Sequence, residues 1–163
     1  MRFMRVALVS SAVVLGACGG GEKKAESAPE AVPAAAPAGA PVAAGAAAPI
    51  TGKTWEVNMV GDAKGYRFEP NVITAKAGDG IKFIMISGGP HNVAFDPATL
   101  PADVRAQLDA NFGADKMAEL SSNLKMNPNE TFTLSLGGIK PGKYAFFCTP
   151  HLAMNMKGEI VVQ

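Results

Sequence analysis

Nine consecutive residues, Cys148-Thr149-Pro150-His151-Leu152-Ala153-Met154-Asn155-Met156, carry a thiol, an imidazole and two thioethers. The chain holds only two cysteines and two histidines, so the place of each is informative. The other histidine, His91, stands far upstream in Gly88-Gly89-Pro90-His91-Asn92. Two imidazoles, one thiolate and a weak thioether match trigonal His₂Cys ligation with a long axial methionine, the blue-copper arrangement. Soft sulfur favours Cu(I) and imidazole suits Cu(II), so such a site changes little when one electron comes or goes. Zinc is the competing metal, but structural zinc prefers two or more cysteines and does not take a thioether. Taken singly, Cys148 reads as a buried thiol or half of an intermolecular disulfide. In the same way His151 alone reads as a surface histidine and Met156 as core. Only the combination and its spacing give the metal reading, and on the residues alone Met154 and Met156 both stand as the thioether.

These groups need a rigid frame, and strand signals dominate the second half of the chain. Trp55, Val57 and Met59 alternate with polar neighbours, as a half-buried strand requires. Val72-Ile73-Thr74 leads into the turn Ala77-Gly78-Asp79-Gly80, and Ile81 to Ile86 is a second β-forming run. Asn92 to Phe95 reads as a short extended piece directly after His91. Thr131 to Leu136 alternates and stops at Gly137-Gly138, Pro141-Gly142 turns the chain into Tyr144 to Phe147, and Gly158 to Val162 closes it. Short strands at this spacing predict an all-β antiparallel sandwich. Cys148 then ends one strand, and His91 stands at the mouth of another. One stretch breaks the pattern. Val104, Leu108 and Phe112 fall at helical spacing, with Pro101 suited to a first turn and Gly113 to a stop. Met117 and Leu120 extend this reading to a helical insertion near 101–121.

The first fifty residues have a different character. Arg2 and Arg5 precede a short apolar run, Val6 to Leu15, which falls short of the roughly 20 residues a bilayer-spanning helix needs. A secretory signal fits it better. Leu15-Gly16-Ala17-Cys18 resembles the lipobox of bacterial lipoproteins. The resemblance implies a signal peptide over residues 1–17, a lipid on Cys18 and attachment at the periplasmic side of a bacterial membrane. Gly19 after the cysteine leans toward the outer membrane by the same resemblance, with the inner membrane left open. The Ala/Pro-rich tract that follows lacks aromatics and cannot bury enough surface to fold, so residues 18–52 read as a semi-extended tether. Residues 53–163 form the folded domain. It carries eleven Lys and Arg against eleven Asp and Glu, so its surface is near neutral and its electrostatic steering weak. No basic run with interleaved aromatics points to nucleic acid.

With these residues laid out, residues 66 to 163 resemble the plastocyanin and pseudoazurin branch of the cupredoxins. Cys148-Thr149-Pro150-His151 with Met156 is similar to the family's copper loop. Gly89-Pro90-His91-Asn92-Val93 resembles its first copper ligand and flanks, Pro141-Gly142-Lys143-Tyr144 the start of the strand before the cysteine, and Ala77-Gly78-Asp79 an early hairpin. The resemblance implies a Greek-key cupredoxin β-sandwich with one copper at a pole, held by His91, Cys148, His151 and Met156. It implies that Asn92 ties the two ligand loops together through Thr149, and that Pro150 stiffens the loop and removes one donor near the thiolate. It further implies a monomeric one-electron carrier, with His151 as the exit and redox proteins such as a cytochrome or a terminal oxidase or reductase as partners. The apolar rim of Gly89, Pro90, Pro150, Leu152 and Met154 would dock them.

Phe147 and the lack of an acidic run depart from plant plastocyanins, so photosynthetic partners do not carry over. Four protein ligands leave no open position for a substrate, which argues against an enzyme. Two histidines are too few for a multicopper oxidase or a copper nitrite reductase. The alternative reading is copper storage or delivery, for which the eight methionines speak and the lack of a Met-rich repeat speaks against.

Overall fold

The computed structural model describes residues 46–163. Ten strands form two sheets. The first contains β1 (Thr54–Asp62), β2 (Gly65–Glu69), β4 (Gly80–Met85) and β8 (Thr131–Ser135), in the order β2-β1-β4-β8. The second contains β3 (Val72–Ala75), β5 (Ala94–Phe95), β6 (Lys116–Ala118), β7 (Ser121–Ser122), β9 (Gly142–Phe147) and β10 (Lys157–Val162), in the order β3-β10-β9-β5-β7-β6. Both sheets are mixed. β1 runs parallel to β4 and β3 parallel to β10, while the other pairs are antiparallel. The expected sandwich is thus present, but it is not purely antiparallel. Alternation along a strand records which face is buried and says nothing of its neighbour's direction.

Alternation fills the space between the sheets. Val57, Met59, Phe68, Ile81, Phe83, Phe132, Leu134, Phe146 and Ile160 are all buried. Phe68, Phe83 and Phe146 meet edge to face at centroid distances of 4.7–6.0 Å, the arrangement aromatic quadrupoles favour. The insertion closes one flank. Its single helix, α1 (Ala102–Asn111), begins after Pro101 and ends at Phe112, with Gly113 at a φ of 59°. Val104 and Leu108 face the core, and Phe112 stacks on Phe132 at 5.0 Å. The helical expectation does not hold beyond Gly113. Lys116–Ala118 is a short exposed edge strand paired with β7, and Leu120, at a φ of 54°, turns inward to complete burial.

The described chain packs on the body from before Lys53. Ala48 is buried, and its amide donates to Asn111 Oδ1 at 2.9 Å. Asn111 Nδ2 donates in turn to the carbonyls of Ser135 and Gly137, each at 2.9 Å. The amides of Thr51 and Gly52 both donate to Gly78 O at 2.9 Å. Residues 46–52 therefore lie at the pole where β4 and β9 begin. His91 follows the end of β4 and Cys148 the end of β9, at the other pole.

Candidate metal centre

Three loops converge at that far pole. The first follows β4. Gly88 has a φ of 74°, and a Cβ there would stand 2.4 Å from Gly61 Cα, so the loop rests directly on the end of β1. Ser87 Oγ donates to Gly61 O at 3.0 Å, and the Gly61 amide donates to Ser87 O at 2.8 Å. His91 follows, fully buried, and its backbone exchanges two hydrogen bonds with Lys125 from the insertion. Its Nε2 bonds Ser87 O at 2.9 Å; a carbonyl only accepts, so Nε2 carries the proton and Nδ1 offers a lone pair. The second loop runs from Cys148 to Met156. His151 opens a single 3-10 turn, Leu152–Met154, that Asn155 ends in the left-handed region. The Cys148 amide donates to Met156 O at 3.0 Å and the Met156 amide to His151 O at 3.2 Å, which folds the nine residues into a closed turn.

The donor atoms meet. Cys148 Sγ lies 3.6 Å from His91 Nδ1 and 3.5 Å from His151 Nδ1, and the two nitrogens are 3.2 Å apart. A point just off the plane of the three lies about 2.0 Å from both nitrogens and about 2.3 Å from the sulfur, the lengths a zinc-sized ion takes to imidazole and thiolate. All three residues are buried. Burial pushes His91 below the ordinary imidazole pKa, against the opposing bond to Ser87; burial and then the neighbouring His91 lower His151. Both rings are therefore held neutral, the form that ligates. Burial pushes the Cys148 thiol up, while the Asn92 and His151 amides oppose it. Without a cation the thiol keeps its proton; a metal at the triangle replaces it. Two neutral imidazoles and one thiol facing a single point fit a copper ion.

The two methionines separate by burial: Met156 is fully buried, whereas Met154 is 55% exposed. Asn92, almost wholly buried, reaches across as expected. Its Oδ1 accepts the Thr149 amide at 2.8 Å, and its Nδ2 donates to Thr149 Oγ1 at 3.2 Å and to Ser121 Oγ at 3.0 Å. Pro150 is exposed beside them, in the rim with Gly89, Leu152 and Met154. His151 retains 6% of its surface against none for His91, so it is the more accessible imidazole. Cys18 lies outside the described residues.

Three residues at the site carry no signal in the sequence: Ser87 and Ser121, described above, and Tyr66. Tyr66 stacks on the His151 ring with centroids 3.7 Å apart and planes 13° from parallel. It comes from β2, which the sequence reading passed over. Tyr66 and Phe68 are two apart and share a face, so the strand that sends Phe68 into the core sends Tyr66 to the metal pole.

Fold and site together define a mononuclear copper-binding β-sandwich. The sequence profile of copper binding proteins of the plastocyanin/azurin family matches residues 55–163, and the chain belongs to that family. It is 34% identical over 118 residues to plastocyanin of Prochlorothrix hollandica, covering 72% of this chain and 79% of that relative. Plastocyanin of Dryopteris crassirhizoma is 36% identical over 107 residues, 64% of this chain and 96% of its own length. The solved structure of the oxidised form of that fern protein aligns with a TM-score of 0.51 and 33% identity over 67% of this chain and all of the other. The chain is thus a plastocyanin-like cupredoxin electron carrier with copper as its cofactor.

Proposed function

We propose that this chain carries single electrons between protein redox partners at the periplasmic face of a bacterial membrane, with one copper held by His91, Cys148, His151 and Met156. The observation that carries the reading is the triangle of Cys148 Sγ and the two Nδ1 atoms, with sides of 3.2–3.6 Å. Copper bound there supplies the one-electron Cu(I)/Cu(II) couple. The chain's own residues keep the donors from rearranging. Ser87 fixes the His91 ring, Asn92 fixes the copper loop to the first ligand's loop, and the buried thiol and thioether exclude water. On this reading Met156 would supply the thioether that helps hold the copper, because it is buried and closes the loop, whereas Met154 faces solvent. Closed ligation by four side chains offers no place for a substrate, so the chain is not an enzyme.

Electrons pass at His151, the more exposed imidazole, through the rim where Leu152 is 42% and Met154 55% exposed. Partners are a cytochrome or a terminal oxidase or reductase, and the domain works as a monomer. Residues 1–17 are a signal peptide, and a lipid on Cys18 tethers the chain through the segment that precedes residue 46. The test is visible absorption and electron paramagnetic resonance of the copper-loaded chain. An intense thiolate-to-copper band with narrow hyperfine splitting is expected, bleached by ascorbate and lost in Cys148→Ser. Ordinary tetragonal Cu(II) parameters would show that Cys148 is not a ligand and would turn the reading toward copper carriage. Mass spectrometry of protein extracted from membranes is expected to show a lipid adduct on Cys18.

A further inference from the structure

The charges of the described domain are mostly used up internally. Seven of its eleven cations sit in ion pairs: Arg67, Lys82, Arg105, Lys116, Lys125, Lys140 and Lys143. Of the other four, Lys53 lies 3.2 Å over the Trp55 ring, at the pole away from the metal, and Lys76 lies at that same pole on the turn after β3. The remaining two, Lys64 and Lys157, stand at the metal pole. Lys64 is on the turn between β1 and β2, and Lys157 directly follows Met156. Both are exposed, and both line one cleft of about 800 Å³.

The other walls of this cleft matter as much. Tyr66 lines it, and Tyr66 is the ring stacked on His151. Exposed Met154 lines it from the copper loop. The acidic residues in its lining are already taken: Glu69 by Arg67 at 2.5 Å and Glu159 by Lys143 at 3.5 Å. Arg67 bridges both Glu69 and, at 2.7 Å, Asp62, so this trio carries one net negative charge beside Lys64. Set against Lys64 and Lys157, it leaves the cleft with one net positive charge, centred toward Lys157, although the whole domain is near neutral. A local field of one sign, beside a low-dielectric wall, concentrates opposite charge there even when net charge is small.

We propose that this cleft, between β2 and the start of β10, is a docking surface for an acidic patch on the redox partner. Carboxylates of the partner pair with Lys64 and Lys157, and the partner's own centre then approaches His151 from the side that Tyr66 covers. The proposal rests on the electron-carrier reading and adds to it the charge of the partner and the side from which it approaches. A protein is favoured over an anionic membrane as the occupant, because the chain's N-terminal segment joins the body at the opposite pole.

The experiment uses two anionic probes on the full chain. Hexacyanochromate(III), which is paramagnetic and redox-inert, is titrated into ¹⁵N-labelled protein in the reduced or the metal-free state. Broadening centred on amides 64–67 and 154–158 supports the proposal. Broadening centred elsewhere, spread evenly, or as strong around Lys76 overturns it. Because this probe needs no copper, it judges the cleft even if the copper reading fails. In the second arm, oxidation of the copper-loaded protein by hexacyanoferrate(III) is followed by stopped flow at low ionic strength. Lys157→Glu and Lys76→Glu change net charge equally. The cleft predicts a rate roughly threefold to tenfold lower for Lys157→Glu, near-normal behaviour for Lys76→Glu, and convergence of the two at high salt. Equal slowing of both, or of neither, would show net charge alone at work and would sink the docking surface. Co-sedimentation with phosphatidylglycerol vesicles that depends on Lys64 and Lys157 would reassign the cleft to a membrane and overturn the protein partner.

Discussion

Asn92→Ala isolates what ties the two ligand loops together. The side chain makes three hydrogen bonds, at 2.8, 3.0 and 3.2 Å, to Thr149 N, Ser121 Oγ and Thr149 Oγ1. It is 1% exposed, so its own polar atoms are fully committed to these partners. A typical intramolecular bond nets about 0.5–1.5 kcal/mol. Three would give about 3 kcal/mol at the middle of that range, but Thr149 is exposed and water can take up part of its loss. An expected cost of about 2 kcal/mol follows. For a domain of this size it corresponds to a fall in Tm of about 8 °C. The assay is thermal unfolding of the metal-free and copper-loaded forms side by side. The metal-free form should lose the amount just worked. The loaded form should lose more, because released loops no longer hold the donor triangle ready and the metal's own contribution to stability shrinks. A drop below about 2 °C in the metal-free protein would refute the energetic reasoning. Equal drops in both forms would leave Asn92 as a fold residue with no part in holding the metal.

Three further perturbations follow from particular contacts. Asp79 is buried and accepts the Lys76 amide, Trp55 Nε1 and the Lys53 amide at 3.0 Å each; the Lys76 and Trp55 bonds together hold its carboxyl below the ordinary range, against the cost of burial. Its contribution is complete above the unfolded value of about 3.9 and is lost as pH falls through the depressed folded value. Denaturation midpoints should therefore decline more steeply below about pH 4 in the parent than in Asp79→Asn. Asn111→Ala strands the Ala48 amide and two backbone carbonyls, so a loss of about 3 kcal/mol is expected, with rapid hydrogen exchange at Ala48 as its local signature. Tyr66→Leu removes a ring stack worth about 0.5–1.5 kcal/mol and frees one face of His151, so a chelator should strip copper several times faster than from the parent.

The parts of the molecule that the sequence displayed are those encoded locally. Cys148, His151 and Met156 lie within one turn, and their spacing is the spacing of that turn. Val57 with Met59, and Phe132 with Leu134, show their buried face by alternation. Gly113 marks the helix end because only a residue tolerant of positive φ stops a helix that way. What was hidden depends on partners distant in sequence. The parallel pairing of β1 with β4 leaves no mark on either strand. β2 is five residues long between a glycine and a proline, too short for a pattern to stand out, and with it went Tyr66. The residues around Met117 form an edge strand because β7 is there to pair with, although their side chains are exposed. Residues 46–52 look like tether in the sequence because the Ala/Pro-rich tract lacks aromatics; what seats Ala48 is its backbone amide meeting Asn111.

That seat has a practical meaning for anyone who wishes to wire this protein into a device. Residues 46–52 join the body where β4 begins, and the donor triangle lies beyond its end, a strand's length of about 20 Å further on. A support coupled to the chain at Ala46 would hold the molecule by its insulating end. Current between support and metal would be poor, while the face that meets soluble partners would stay open. An electrode intended to read the metal directly needs its anchor on the other side, for example at an engineered cysteine near Met154.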